Sequence, residues 1–241
     1  MYYATVNFII HNKNSLEDSQ SCKCLHFADC VLSKHGLQRD GFKKRGELKI
    51  LYQDKELTLR PIMEEDLYRL WTLAFKEEAP EWKKWDAPYY PYKPISYEDF
   101  LTKKEQYVDR DDRWSIIVNE KLIGIIGYYW EHEPSRWLEM GIVIYDPNYW
   151  SGGYGTRVIK IWMDHLFKAL PLVRVGYTTW SGNERMIKVG EKLGMTMEGR
   201  MRKCRYYNGV YYDSIRMGIL REEWEAFIKG SKSINGNEIV Q

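Results

Sequence analysis

The sequence predicts an α/β domain of the α+β kind, with helices flanking a mixed, mostly antiparallel sheet of about seven strands. From Leu57 onward, helix-period and strand-period segments alternate in the order β-α-α-β-β-β-α-β-α-β-β, with no internal repeat. Three strand-like runs, 114–118, 122–130 and 137–145, follow one another across Asn119-Glu120-Lys121 and the break Glu133-Pro134-Ser135. After the third run, Gly152, Gly153 and Gly155 stand at a strand-to-helix junction.

The elements follow in chain order. Residues 1–47 give no clear pattern and are expected to form a poorly structured extension. Their Cys22-x-Cys24-x-His26, Cys30 and His35 match no common structural-zinc spacing, so no metal site is expected. Lys43-Lys44-Arg45-Gly46-Glu47-Leu48 can be encoded by a purine-rich run before an alternative start codon, so the natural chain is expected to begin near Leu48. One folded domain is expected over residues 48–229, and the polar tail 230–241 is expected to fray.

Residues 56–62 alternate as a strand, and Glu64, Glu65 and Asp66 enrich the start of a helix carrying Leu67, Leu70, Trp71, Ala74 and Phe75. Residues 79–92 hold three prolines and five aromatics, so no regular helix or central strand fits them. Such a loop either folds onto the core or walls a substrate site, with Trp82, Trp85, Tyr89 and Tyr90 as the wall. Ser96 can cap a helix reaching about Val108. Val158, Ile159, Trp162 and Leu166 mark one face of the helix from about 155 to 169. Residues 173–179 read as a strand and 184–193 as a helix closed by Gly194. Asn208-Gly209 then signals a type I′ hairpin between 198–206 and 210–220, and 221–229 closes the domain as a helix.

Composition narrows the function. A net charge of +2 over 241 residues argues against a dedicated nucleic-acid binder. No apolar run reaches the ~18 residues of a membrane span, and no signal peptide is recognisable. The four cysteines do not form a disulfide framework, so a cytoplasmic monomer or homodimer is expected. The 19 Tyr and 10 Trp exceed what a core alone needs, so some should line a site or interface.

Glycines at a strand-to-helix junction leave backbone N–H groups unobstructed beside the positive end of a helix dipole. That is either a pyrophosphate cradle or merely a turn that starts a helix. The spacing is neither G-x-G-x-x-G nor a P-loop.

Trp150-Ser151-Gly152-Gly153-Tyr154-Gly155 resembles the acetyl-CoA loop of the GNAT superfamily of N-acetyltransferases. Asn183-Glu184-Arg185-Met186 through Glu191-Lys192-Leu193-Gly194-Met195 resembles that family's second block. Trp150 in the first slot resembles the branch that includes ribosomal-protein N-terminal acetyltransferases. The likeness spans about Leu57 to Glu225. It implies a sheet splayed at an acetyl-CoA site, with acetyl-CoA as co-substrate. It places the backbone of Ser151, Gly152, Gly153, Tyr154, Gly155 and Thr156 on the pyrophosphate. Val143, Ile144 and Tyr145 are expected to pair with pantetheine like an added strand, with Asn183 beside it. Asn183 also suits a helix N-cap. Arg157 and Lys160 are candidates for the 3′-phosphate, or are simply solvated.

The implied reaction is acetyl transfer to a primary amine of a small molecule or peptide N-terminus by direct attack. An amine of pKa about 10 must first lose a proton. Glu139, in an otherwise apolar strand eleven residues before Trp150, is the candidate base, its alternative being an edge-facing or ion-paired glutamate. The family's usual tyrosine acid falls at Gly190, and the expected serine is Met186. Tyr177 is therefore the candidate acid, with Tyr145 or solvent as alternatives. Glu77, Glu78, Glu81, Asp86, Glu131 and Glu133 either form a cation-attracting rim or a solvated face. The contrasting functional reading is an acetyl-CoA-binding sensor impaired in catalysis.

Overall fold

The structure, a computed structural model, describes residues 52–53 and 56–235. The readings for residues 1–47, including Cys22, Cys24, Cys30 and the start near Leu48, lie outside them.

Eight strands form one sheet in the spatial order β1-β2-β3-β4-β5-β6-β8-β7. They are β1 (Tyr52–Gln53), β2 (Leu57–Pro61), β3 (Arg113–Val118), β4 (Lys121–His132), β5 (Trp137–Ile144), β6 (Arg174–Trp180), β7 (Thr196–Tyr207) and β8 (Val210–Leu220). The seven expected strands are all present. The eighth, β1, has two residues and so carries no readable alternation. Every neighbouring pair is antiparallel except β5 and β6, which run parallel. Asn208 and Gly209 both have positive φ, as a type I′ turn requires.

Helices cover both faces. In α3 (Tyr154–Ala169) the stripe Val158, Ile159, Trp162 and Leu166 is buried against Leu138 and Met140 of β5. Burying each such side chain contributes about 1.5–3 kcal/mol. α4 (Glu184–Lys192) lies beside α3, and α5 (Arg221–Asn235) packs on β8. α5 runs past the expected fraying point at Gly230, since one glycine costs a helix only about 1 kcal/mol.

On the other face, Arg60 and Ser115 alternate with the core residues Leu59 and Ile116. Both reach Asp66, immediately before α1 (Leu67–Ala74): Arg60 at 2.6 and 2.9 Å, Ser115 at 3.1 Å. α2 (Tyr97–Leu101) starts at the Ser96 cap, whose hydroxyl accepts from Asp99 N–H, but it stops short of the expected Val108. Phe100 and Tyr107, 5.1 Å apart ring to ring, still carry the segment into the interior. No helix among the described residues is long and apolar enough to cross a membrane.

Candidate active site

The parallel pair β5–β6 is joined at a single register, Glu139 opposite Gly176. Beyond it, residues 140–144 of β5 and 177–180 of β6 line a common cavity of about 420 Å³ instead of pairing. The sheet therefore opens as a V whose vertex is Glu139. An open V leaves strand edges available to an extended ligand carrying amides.

One end of the cavity is the glycine loop. Ser151, Gly153, Tyr154, Gly155 and Thr156 line it; Gly152 does not. Gly153 is the N-cap of α3 at φ +81°, a conformation that penalises any Cβ, and it has no side chain to cap the first-turn N–H groups. Arg185, Lys188 and Lys192 of α4 line the same cavity. Free amide donors, a helix dipole and three cations suit the phosphates of CoA. The expected Arg157 and Lys160 are not in the lining, and Arg157 instead pairs with Glu56. The α4 cations were missed because only the sheet order brings α4 beside the loop.

Of the three residues expected beside pantetheine, the cavity reaches two. Val143 and Ile144 line the cavity. Tyr145 does not: its N–H donates to Ile123 O at 2.9 Å and its ring packs edge-on to Trp82 at 5.3 Å. Trp150, the departure from the family's usual loop, donates its indole N–H to Ile144 O at 2.8 Å and so ties the loop to the end of β5.

The other end is the aromatic loop, built around a short 3₁₀ turn at Glu81–Lys84. The carbonyl of Trp85 accepts from both Trp180 Nε1 at 2.8 Å and Asn183 Nδ2 at 3.0 Å, which locks the loop onto the β6–α4 corner. Asn183 also accepts from Met186 N–H, so its capping role holds. The Arg185 guanidinium stands 4.4 Å from the Trp85 ring and 5.6 Å from that of Trp150. Trp82, Trp85 and Tyr89 line the cavity, whereas Tyr90 lies behind Tyr89 and outside the lining. Of the acids considered for a rim, only Asp86 lines the cavity; Glu81 pairs with Lys84 and Glu131 faces Arg216 at 3.6 Å.

The two candidate catalytic groups are placed differently. Glu139 is fully buried, 3.1 Å from Arg174 and 3.6 Å from Arg216, with Trp137 Nε1 and Thr178 Oγ1 also reaching its oxygens. Burial outweighs the two arginines and raises its pKa. It is absent from the cavity lining and ion-paired to Arg174. Tyr177 does line the cavity. Its hydroxyl donates to Met186 O at 2.8 Å, and burial raises its pKa, so it keeps its proton. A Cβ at Gly190 would sit 2.4 Å from that hydroxyl. Thus the space that a side chain at position 190 would enter is already occupied by the Tyr177 phenol.

A parallel strand pair opened into a V, closed by an uncapped glycine-started helix, leaves strand edges and amide donors facing one cavity. Comparison with known proteins makes this specific: residues 56–196 match the family model described as the acetyltransferase (GNAT) domain, and the chain belongs to that family of N-acetyltransferases. The SPbeta prophage-derived uncharacterized N-acetyltransferase YokL of Bacillus subtilis is 26% identical over 71% of this chain and 93% of its own length. The spermidine N(1)-acetyltransferase of Escherichia coli K12 is 28% identical over 70% of this chain and 88% of its own. Among solved structures, the Vibrio cholerae spermidine N-acetyltransferase in complex with CoA and spermine superposes with a TM-score of 0.59 at 20% identity. It covers 71% of this chain and 99% of that one. That likeness concerns the fold.

Proposed function

We propose that the protein transfers the acetyl group of acetyl-CoA to a primary amine of a small molecule, entering from the aromatic-loop end of the cavity. The observation that carries this is the V between β5 and β6, which joins the glycine loop to the aromatic loop through one continuous space. Bound acetyl-CoA supplies a thioester whose carbonyl carbon the amine attacks, with the thiol as leaving group.

The chain's own residues have separable tasks. The backbone N–H groups of Ser151 to Thr156 hold phosphate oxygens, assisted by Lys188 and Lys192. Val143 and Ile144 present backbone to the pantetheine arm. Tyr177, kept protonated by burial, stands ready to hand its proton to the departing sulfur. Glu139, engaged by Arg174, Arg216, Trp137 and Thr178, holds the vertex of the V and positions β6. The sensor reading rested on Gly190 and Met186, and the Tyr177 phenol beside Gly190 supplies the hydroxyl those positions lack. The E. coli relative's name makes spermidine one acceptor to try.

Thiol release from acetyl-CoA by the purified protein, screened over monoamines, polyamines and short peptides, tests the proposal. Turnover of at least one small amine is expected. Tight acetyl-CoA binding with no amine consumed would establish a binding protein instead.

A further inference from the structure

Asp86 is the one acidic residue among those lining the cavity. It stands at the aromatic end, between Trp85 and Ala87, both also in the wall. No hydrogen bond or ion pair among the described residues engages its carboxylate. The nearby Lys83 ammonium is spent on the backbone carbonyls of Asp86 and Ala87, at 2.8 and 3.0 Å. Asp86 is half-buried, and a carboxylate that faces an aromatic-walled cavity without a partner attracts a cation there. A second polar group there is also unsatisfied: Trp82 is 3% exposed, lines the cavity, and its indole N–H has no partner among the described residues. In the cavity wall that N–H is open to a polar ligand group.

We infer that Asp86 is the carboxylate that binds the acceptor's ammonium and takes its proton, and that the acceptor is a primary amine with a single positive charge on an apolar or aromatic stem. This rests on the acetyltransferase reading. Three features select that class. A single acid matches one ammonium, whereas a polyamine brings several. Arg185, whose guanidinium stands 4.4 Å from the Trp85 ring, repels a second cation at this end. The walls at this end, Trp82, Trp85, Tyr89 and Trp180, suit a stem that is flat or apolar.

The proton balance is simple. The ammonium gives one proton to the Asp86 carboxylate, which returns it to solvent. The neutral nitrogen bonds to the thioester carbon as the carbon–sulfur bond breaks; Tyr177 gives its proton to the sulfur, and the second proton that the nitrogen loses restores the phenol by way of solvent. Burial raises the Asp86 pKa to about 6 against the opposing pull of Lys83, closer to the amine's than an ordinary aspartate. Besides Lys83, Tyr89 of the same loop and Tyr145 at the end of β5 feel its charge, and Arg205 of β7 and Arg185 of α4 stand over the neighbouring Tyr89 and Trp85 rings.

The experiment is a steady-state comparison of the full chain with Asp86→Asn and Asp86→Glu, using 2-phenylethylamine, tryptamine and spermidine as acceptors. Calorimetry with acetyl-CoA runs alongside. Expected are turnover of a monoamine in preference to spermidine, and a fall of about 100-fold or more in kcat/KM for Asp86→Asn. The acetyl-CoA Kd should stay unchanged, the acid limb near pH 6 should disappear in Asp86→Asn, and Asp86→Glu should recover part of the rate. An Asp86→Asn enzyme within about threefold of wild type and with the same pH profile overturns the assignment to Asp86 while leaving the acetyltransferase reading intact. Preference for spermidine overturns the single-charge class. Wild-type protein that binds acetyl-CoA but consumes none of these amines, nor any in the wider screen, overturns both readings.

Discussion

Gly190 and Tyr177 form one unit rather than two departures from a family pattern. An alanine at 190 would place its methyl 2.4 Å from the Tyr177 hydroxyl and 3.0 Å from Met217 Cε. Gly190→Ala should therefore destabilise by about 1–3 kcal/mol, the usual cost of overpacking a tight interior. Tyr177→Phe removes the hydroxyl's hydrogen bond to Met186 O and its contact with the Gly190 backbone N–H, about 1–2 kcal/mol together, so its main effect should fall on kcat with acetyl-CoA affinity retained. The double mutant should be more stable than additivity allows, because Tyr177→Phe removes the oxygen that clashes. Thermal melts on the four-member cycle and kcat for Tyr177→Phe test the two halves separately. Equal destabilisation by Gly190→Ala with and without the hydroxyl would refute the pairing.

The elements divide by why they were readable. α3 and the β7–β8 hairpin were legible because a four-residue apolar stripe and an Asn-Gly turn are local signals. The expected α2 runs too far because its last turns are replaced by a 3₁₀ turn at Lys104–Gln106, where Tyr107 N–H donates to Lys104 O and the Tyr107 ring stays buried. The glycine loop's place at the strand-to-helix junction was legible, but the cations beside it were not. Lys188 and Lys192 sit on α4, and nothing local indicates that α4 adjoins the loop. Asp86 looked like one acid among several because only the folded loop turns it into the cavity wall. At the loop itself, Gly153→Val should cost about 1–2 kcal/mol of backbone strain at φ +81° and weaken acetyl-CoA binding at least tenfold. Gly209→Ala is the control: φ +79° gives similar strain, but it sits at a hairpin tip outside the cavity. Calorimetry should detect the binding loss only for Gly153→Val.

At the scale of the whole molecule, the two halves of the sheet meet at one residue. β1 to β5 and the β6–β8–β7 group are joined in the sheet through the single Glu139–Gly176 register. The Glu139 carboxylate extends that joint to Arg174 and Thr178 of β6 and Arg216 of β8. Its sequence context marked it as unusual but not as a joint, since its partners lie 35, 39 and 77 positions away. Glu139→Gln keeps the shape and one acceptor oxygen, and Arg174 and Arg216 retain Glu198 and Glu131. It should cost far less than Glu139→Ala, for which about 3 kcal/mol and a loosened V are expected. The pH dependence has a definite sign. Burial has raised the folded pKa of Glu139, so the folded state holds the proton more tightly than the unfolded chain does. Wild type is then most stable relative to Glu139→Gln below the carboxylate's ordinary value of about 4.3, and loses that advantage as pH rises through the raised value. Melting both proteins from pH 4 to 7 reads this directly, because groups common to both cancel in the difference. A difference that widens in favour of wild type as pH rises would mean that the two arginines outweigh burial. The joint would then be an ion pair that favours the charged carboxylate rather than one that tolerates it.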